Sequence, residues 1–78
     1  MAARDPAYRF LVKALVEGRK RAGLKQVSVA ENLGKMQSYV SKVELCERRL
    51  DVIEFVRFAE AVGLDPFKVL REALRKTK

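Results

Sequence analysis

Helix-breaking residues divide this chain into short segments, and their spacing limits the possible folds more than any other feature. Between them, apolar residues recur every three or four positions, which is the period of an amphipathic helix, and no segment alternates as a strand does. The pattern predicts one all-α domain over residues 1–78. Its five helices are expected at about residues 6–22, 26–33, 37–45, 52–62 and 66–75. The breakers are Pro6, Gly18, Gly23, Gly34, Gly63 and Pro66.

Three of the predicted helices begin with an aspartate. Asp5 and Asp65 each precede a proline, and proline is well tolerated at the first helical position because no backbone donor is lost there. Asp51 and Glu54 have the spacing of a capping box, in which each side chain bonds to the other residue's backbone. These signals predict well-defined starts for the first, fourth and fifth helices.

Charge and the scarcity of histidine and cysteine narrow the function. The chain has 17 Lys and Arg against 10 Asp and Glu, a net charge of +7, and 49% of its residues are hydrophobic. It has no histidine and one cysteine. These are too few ligands for a structural zinc site, and a catalytic Ser-His or Cys-His pair cannot form without histidine. We therefore expect no enzyme activity, no metal and no other cofactor. A folded, strongly basic domain indicates a nucleic-acid partner.

Two short predicted helices meet at Gly34, and this arrangement indicates a helix-turn-helix. Gly34 can adopt the left-handed backbone that ends a helix abruptly. Ala30 is small where the two helices must cross closely. Leu33, Val40 and Val43 are apolar where both helices must pack against the rest of the domain.

Fourteen residues within the segment 24–66 follow a known pattern: Leu24, Gln26, Ala30, Leu33, Gly34, Ser38, Tyr39, Ser41, Lys42, Glu44, Arg48, Ala61, Gly63 and Pro66. On these residues the chain resembles the phage-repressor-like helix-turn-helix family, also called the Cro or XRE type, over about residues 9–70. The resemblance implies a five-helix, lambda-repressor-like DNA-binding domain. It also implies a sequence-specific transcriptional regulator whose partner is double-stranded DNA.

The resemblance assigns roles by position, with the second helix of the pair lying in the major groove. It implies a structural ion pair between Arg19 and Glu44. It implies base contacts from Gln37, Ser38, Ser41 and Lys42. The expected contacts to the DNA backbone come from Gln26, Lys35, Tyr39 and Arg48.

Four positions depart from the family pattern. Lys25 and Met36 occupy the two sites where the family has a Ser or Thr helix cap. Lys35 replaces a residue that is usually apolar, and Cys46 replaces a common glycine. These departures affect the helix caps and the docking of the third helix.

The fourth and fifth helices carry more apolar residues than one small core requires. The family commonly uses such a surface to form a symmetric dimer, so we expect a homodimer acting as a repressor on a palindromic operator. The expected interface residues are Phe58, Phe67, Leu70 and Leu74.

Other functions of the same fold stay open at this point. The chain can be the antitoxin of a toxin–antitoxin pair or the controller of a restriction system, with a toxin or another protein as partner. It can instead be a protein-interaction adaptor, which the apolar Val27 and the unusual Lys35-Met36 turn favour. In each case we expect a cytoplasmic protein of bacterial or phage type, with the DNA-binding forms associated with the nucleoid.

Overall fold

The computed structural model describes residues 5–76, and these residues form five α-helices without any strand. Each helix begins at the predicted residue and ends within one residue of the predicted end, and the all-α fold class is confirmed. None of the helices in the described part of the chain is long and apolar enough to span a bilayer. The helices are α1 (Pro6–Arg21), α2 (Gln26–Leu33), α3 (Gln37–Glu44), α4 (Val52–Ala61) and α5 (Pro66–Lys76).

The aspartate starts have the expected geometry. Asp5 Oδ1 accepts from the backbone N–H of Ala7 at 2.8 Å, and Asp65 Oδ1 accepts from that of Phe67 at 3.0 Å. Asp51 and Glu54 form a complete capping box. In contrast, α2 and α3 begin at residues whose side chains make no capping hydrogen bond.

The core lies where all five helices meet, and its largest fully buried side chain is Phe58. The prediction that Phe58 belongs to a dimer interface is therefore wrong. Phe58 lies on the face of α4 that packs on the core, so a second chain could not reach it without unfolding. Val52 at the start of α4 and Ala22 just after α1 lie outside this core and are exposed. Leu15, Val29, Val40 and Val43 complete the fully buried centre.

Helix α1 approaches the loop after α4 closely at Gly18. A β-carbon built at Gly18 would lie 2.8 Å from Leu64 Cδ1 and 3.2 Å from Val62 Cγ2, closer than side chains normally pack. A glycine inside a helix lowers helix stability, and here it permits this close packing. The contact holds α1 against the segment that joins α4 to α5.

Candidate nucleic-acid interface

The turn between α2 and α3 sets the angle at which α3 is presented. Gly34 ends α2 with φ 69° and ψ 32°, in the left-handed region that glycine adopts without strain. The next backbone N–H, that of Lys35, donates to the carbonyl of Ala30 at 2.9 Å. Val40 and Val43 anchor α3 on the core and have no exposed surface.

The opposite face of α3 is polar and open to solvent. Gln37, Ser38 and Lys42 are exposed, and Ser41 is half-buried. At 3.6 residues per turn these four positions span roughly 140° of the helix circumference. The predicted base-contacting residues therefore lie together on one accessible face.

A charged pair fastens the far end of α3 to α1. Arg19 Nε donates to Glu44 Oε2 at 2.6 Å, and Arg19 Nη2 donates to Glu44 Oε1 at 3.0 Å. The side chains are only 12% and 8% exposed. Arg19 Nη1 also donates to the carbonyl oxygen of Leu24 at 2.9 Å, which ties down the loop before α2. The structure thus contains the pair that the family resemblance implied.

Two glutamines extend this pair to the start of α3. Gln26 Nε2 donates to Glu44 Oε1 at 2.9 Å, and Gln37 Nε2 donates to Gln26 Oε1 at 2.9 Å. Because the carboxylate of Glu44 can only accept, Gln26 must turn its carbonyl oxygen towards Gln37. We call these four residues, Arg19, Glu44, Gln26 and Gln37, the polar brace.

The brace fixes how Gln37 is presented. One amide hydrogen of Gln37 is used by Gln26, which leaves the second hydrogen and the carbonyl oxygen for a base edge. From the sequence, Gln26 and Gln37 were predicted to have separate roles, and the bond between them was not predicted. One sequence feature could have indicated this bond: each glutamine is the first residue of one of the two helices that the turn joins.

A second cluster connects α3 to the start of α4. The guanidinium of Arg48 lies 4.9 Å from the ring centre of Tyr39, and Lys35 Nζ lies 5.3 Å from the same ring. Arg48 also pairs with both carboxylate oxygens of Glu54, at 3.1 and 3.2 Å. Arg48 therefore already has an anionic partner, and the structure gives it a role in joining α3 to the capping box of α4.

The ionisation of this cluster favours hydrogen-bond donation from Tyr39. Burial, and then the carboxylate of Glu54, raise the pKa of the Tyr39 hydroxyl above its ordinary value of 10.0. The pKa of Glu54 lies below its ordinary 4.5, first because the backbone N–H of Asp51 donates to it and second because of Arg48. A tyrosine hydroxyl is protonated at neutral pH, and the raised pKa extends this state to higher pH, so Tyr39 can donate to a phosphate oxygen.

One departure from the family pattern, Cys46, lies in the backbone just after α3. Cys46 has φ 61° and, among the described residues, is the one non-glycine residue with positive φ. The common family glycine suits that conformation, whereas a cysteine is strained there. The substitution therefore leaves a strained non-glycine residue in the turn after α3.

A solved structure is similar to this chain in sequence and in fold. An XRE-family like protein from Pseudomonas syringae pv. tomato str. DC3000 is 44% identical, over 92% of this chain and 88% of that chain, with a TM-score of 0.86. The chain belongs to the XRE family. This confirms the predicted family and its helix-turn-helix fold, which is of the transcription-regulator type.

Two other comparisons add nothing to the XRE assignment, because no protein-family model and no curated protein matches the chain. The roles assigned to single residues of this XRE-family protein stay predictions.

Proposed function

We propose that this XRE-family protein is a sequence-specific DNA-binding repressor that acts as a homodimer on a palindromic operator. The observation that carries the proposal is the exposed polar face of α3, with Gln37 held in one orientation by the polar brace. A solvated helix face has no need of such a brace. A residue that must meet a base edge gains affinity from being held in position before binding.

The chemistry of this face suits the major groove. Gln37 can pair with adenine, donating its second amide hydrogen to N7 and accepting from the N6 amino group. Lys42 can donate to the guanine acceptors O6 and N7, and Ser38 and Ser41 can bond to either kind of base edge.

The surroundings of this face suit the phosphate backbone. Lys25 and Lys35 are exposed at the starts of α2 and α3, where the helix dipole also favours an anion. Lys35, the Tyr39 hydroxyl and the open start of α2 beside Gln26 are the proposed phosphate contacts. Arg48 is a further phosphate contact only if its guanidinium bonds to a phosphate and to Glu54 at the same time.

An apolar stripe on α5 supports the dimer. Phe67, Leu70 and Leu74 are 68%, 40% and 55% exposed, and their spacing places them along one face of the helix. Leu70 and the exposed Val52 line a mostly apolar cavity of about 140 Å³ that opens beside this stripe. A two-fold axis through such a self-complementary surface would pair two recognition helices about 34 Å apart, one turn of DNA.

The decisive experiment selects bound sequences from a random duplex pool and then measures affinity against salt concentration. A homodimer whose subunits each neutralise about three to five phosphates should give a log–log slope of roughly −5 to −9. Enrichment of a palindromic consensus together with a steep slope is the expected result. A flat salt response and no consensus would contradict the proposal.

The dimer is tested by sedimentation of the unmodified protein and of Leu74→Glu. We expect the variant to keep its helix content, to sediment as a monomer and to lose most of its operator affinity, because a buried carboxylate opposes association. Lys68→Glu, an exposed α5 substitution at a position that is already polar, is the control. A monomeric parent, both free and on its operator, would contradict the dimer.

An adaptor function is the alternative, and one observation favours it. Val27 and Met36, near the starts of α2 and α3, are 47% and 78% exposed, which suits a protein partner as well as DNA. An antitoxin or restriction controller would share the proposed DNA binding and differ in its partner, such as a toxin. A repressor or an antitoxin would act at the genome, in the cytoplasm.

A further inference from the structure

Met36 stands out on the surface beside the recognition face. At 78% it is the most exposed large hydrophobic residue in the part of the chain that the structure describes. It occupies the N-cap of α3, where its side chain makes no capping hydrogen bond. A serine, threonine, aspartate or asparagine would satisfy a backbone N–H there. The helix therefore starts without a side-chain cap, at a position where a thioether is open to solvent.

The position of Met36 indicates what its side chain can meet. It directly precedes Gln37, whose orientation the polar brace sets. The first residues of a recognition helix are those that reach base edges in the major groove. The side chain of Met36 should therefore reach the groove next to the base pair that Gln37 contacts.

The chemistry of a thioether limits the contact further. It has no hydrogen-bond donor and is at most a weak acceptor, so it offers little to a phosphate or to a polar base edge. The apolar group that the major groove presents is the C5-methyl of a pyrimidine. Methionine is unbranched and polarisable, and it adapts well to such a small apolar surface.

We propose that Met36 contacts the C5-methyl group of a pyrimidine next to the base pair read by Gln37, so that operator affinity depends on that methyl group. The proposal rests on the proposed DNA-binding function and adds a specificity-determining residue to it. The methyl group belongs either to thymine or to 5-methylcytosine. Burial of one methyl group corresponds to about a fourfold change in affinity.

The test is a cycle of protein and DNA changes on the selected operator. Each thymine is replaced singly by deoxyuridine, and each cytosine by 5-methylcytosine, so that only a methyl group is removed or added. The parent protein should bind about fourfold more weakly at one deoxyuridine or about fourfold more tightly at one 5-methylcytosine. The first result identifies thymine as the source of the methyl group, and the second identifies 5-methylcytosine.

Variants of Met36 show whether that residue is responsible. Met36→Ser supplies a cap but neither a thioether nor a methyl group, and it should bind the methylated and unmethylated duplexes equally at that position. Met36→Leu keeps an apolar side chain and should keep most of the methyl preference. Leu45→Ser is the matched control, since Leu45 is 62% exposed at the opposite end of α3, and it should behave as the parent does.

Circular dichroism verifies that each variant is folded. A methyl preference that is the same in Met36→Ser as in the parent, or absent from the parent at every position, would overturn the proposal while DNA binding stands. A parent protein that selects no sequence at all would overturn both the proposed function and this inference.

Discussion

The scaffold helices and the two helices of the helix-turn-helix begin in different ways. Asp5, Asp51 and Asp65 place a carboxylate at the start of α1, α4 and α5, and each accepts a backbone N–H. The N-cap residues of α2 and α3 are Lys25 and Met36, whose side chains make no capping hydrogen bond. The first group is held by local hydrogen bonds, and the second group is held by tertiary contacts of the polar brace.

The difference has a simple electrostatic reason under the proposed function. A carboxylate suits the positive end of a helix dipole, but it would repel the phosphates that the starts of α2 and α3 are proposed to approach. Leaving these ends without a carboxylate keeps their N–H groups and nearby lysines available to an anion. The ion pair of Arg19 and Glu44, two residues far apart in the sequence, then holds these helices in place, as a local cap does in the scaffold helices.

The largest expected effect comes from breaking the polar brace. Arg19→Ala should lower the free energy of unfolding by about 3 kcal/mol, because it leaves the mostly buried carboxylate of Glu44 without its cation. Lys20→Ala, the exposed neighbour on the same helix, should change it by less than about 0.5 kcal/mol. Denaturant unfolding of both variants is the measurement. Equal midpoints would show that α3 does not depend on the brace.

The next effect concerns base reading at the uncapped start of α3. Gln37→Ala should cost about 1–3 kcal/mol of affinity on the selected operator and little on random DNA, since the base contact is removed while the proposed phosphate contacts are kept. Asn32→Ala removes an exposed amide at the other end of α2 and serves as the control in the same titrations. If Gln37→Ala selects the same consensus as the parent, the assumed register of α3 on the DNA is wrong.

A third test places an aspartate cap, as found at the starts of α1, α4 and α5, at the start of α2. Lys25→Asp should stabilise the fold by up to about 1 kcal/mol through a new cap, yet weaken DNA binding because its carboxylate faces phosphate. Lys25→Ser supplies a neutral cap and removes the same lysine. Unfolding and DNA titrations on both variants separate the two effects. Equal DNA affinity for the two variants would mean that the start of α2 does not face the backbone.

The smallest effect is on how the stability of the fold depends on acid pH, and it arises from Glu54 in the scaffold helix α4. Because the pKa of Glu54 is lowered in the folded protein, its stabilising contribution is complete above about pH 4.5 and is lost as the pH falls through the lower folded value. Glu54→Gln should therefore lose less stability than the parent between about pH 5 and pH 3. Parallel curves for the two proteins would show that the ionised carboxylate of Glu54, with its bonds to Asp51 and Arg48, adds nothing to stability.

Much of the candidate site was predictable from the sequence, because local signals and family positions both point to it. The polar residues of α3 lie on one face as predicted, and Arg19 meets Glu44. The contact between Gln26 and Gln37 was not predicted, since it joins residues eleven positions apart that only the turn brings together. The pairing of Arg48 with Glu54 was missed because the capping box explained Glu54 by itself.

The sequence by itself determined the five helices, since their periodicity, their aspartate starts and their glycine ends act over a few neighbouring residues. Only the tertiary structure decided which apolar residues of α4 face inward. Phe58 is buried and Val52 is exposed because the angle at which α4 packs on α1 and α5 depends on distant contacts, including the close approach at Gly18. Helical periodicity identifies an apolar stripe, and packing decides which part of that stripe the core covers.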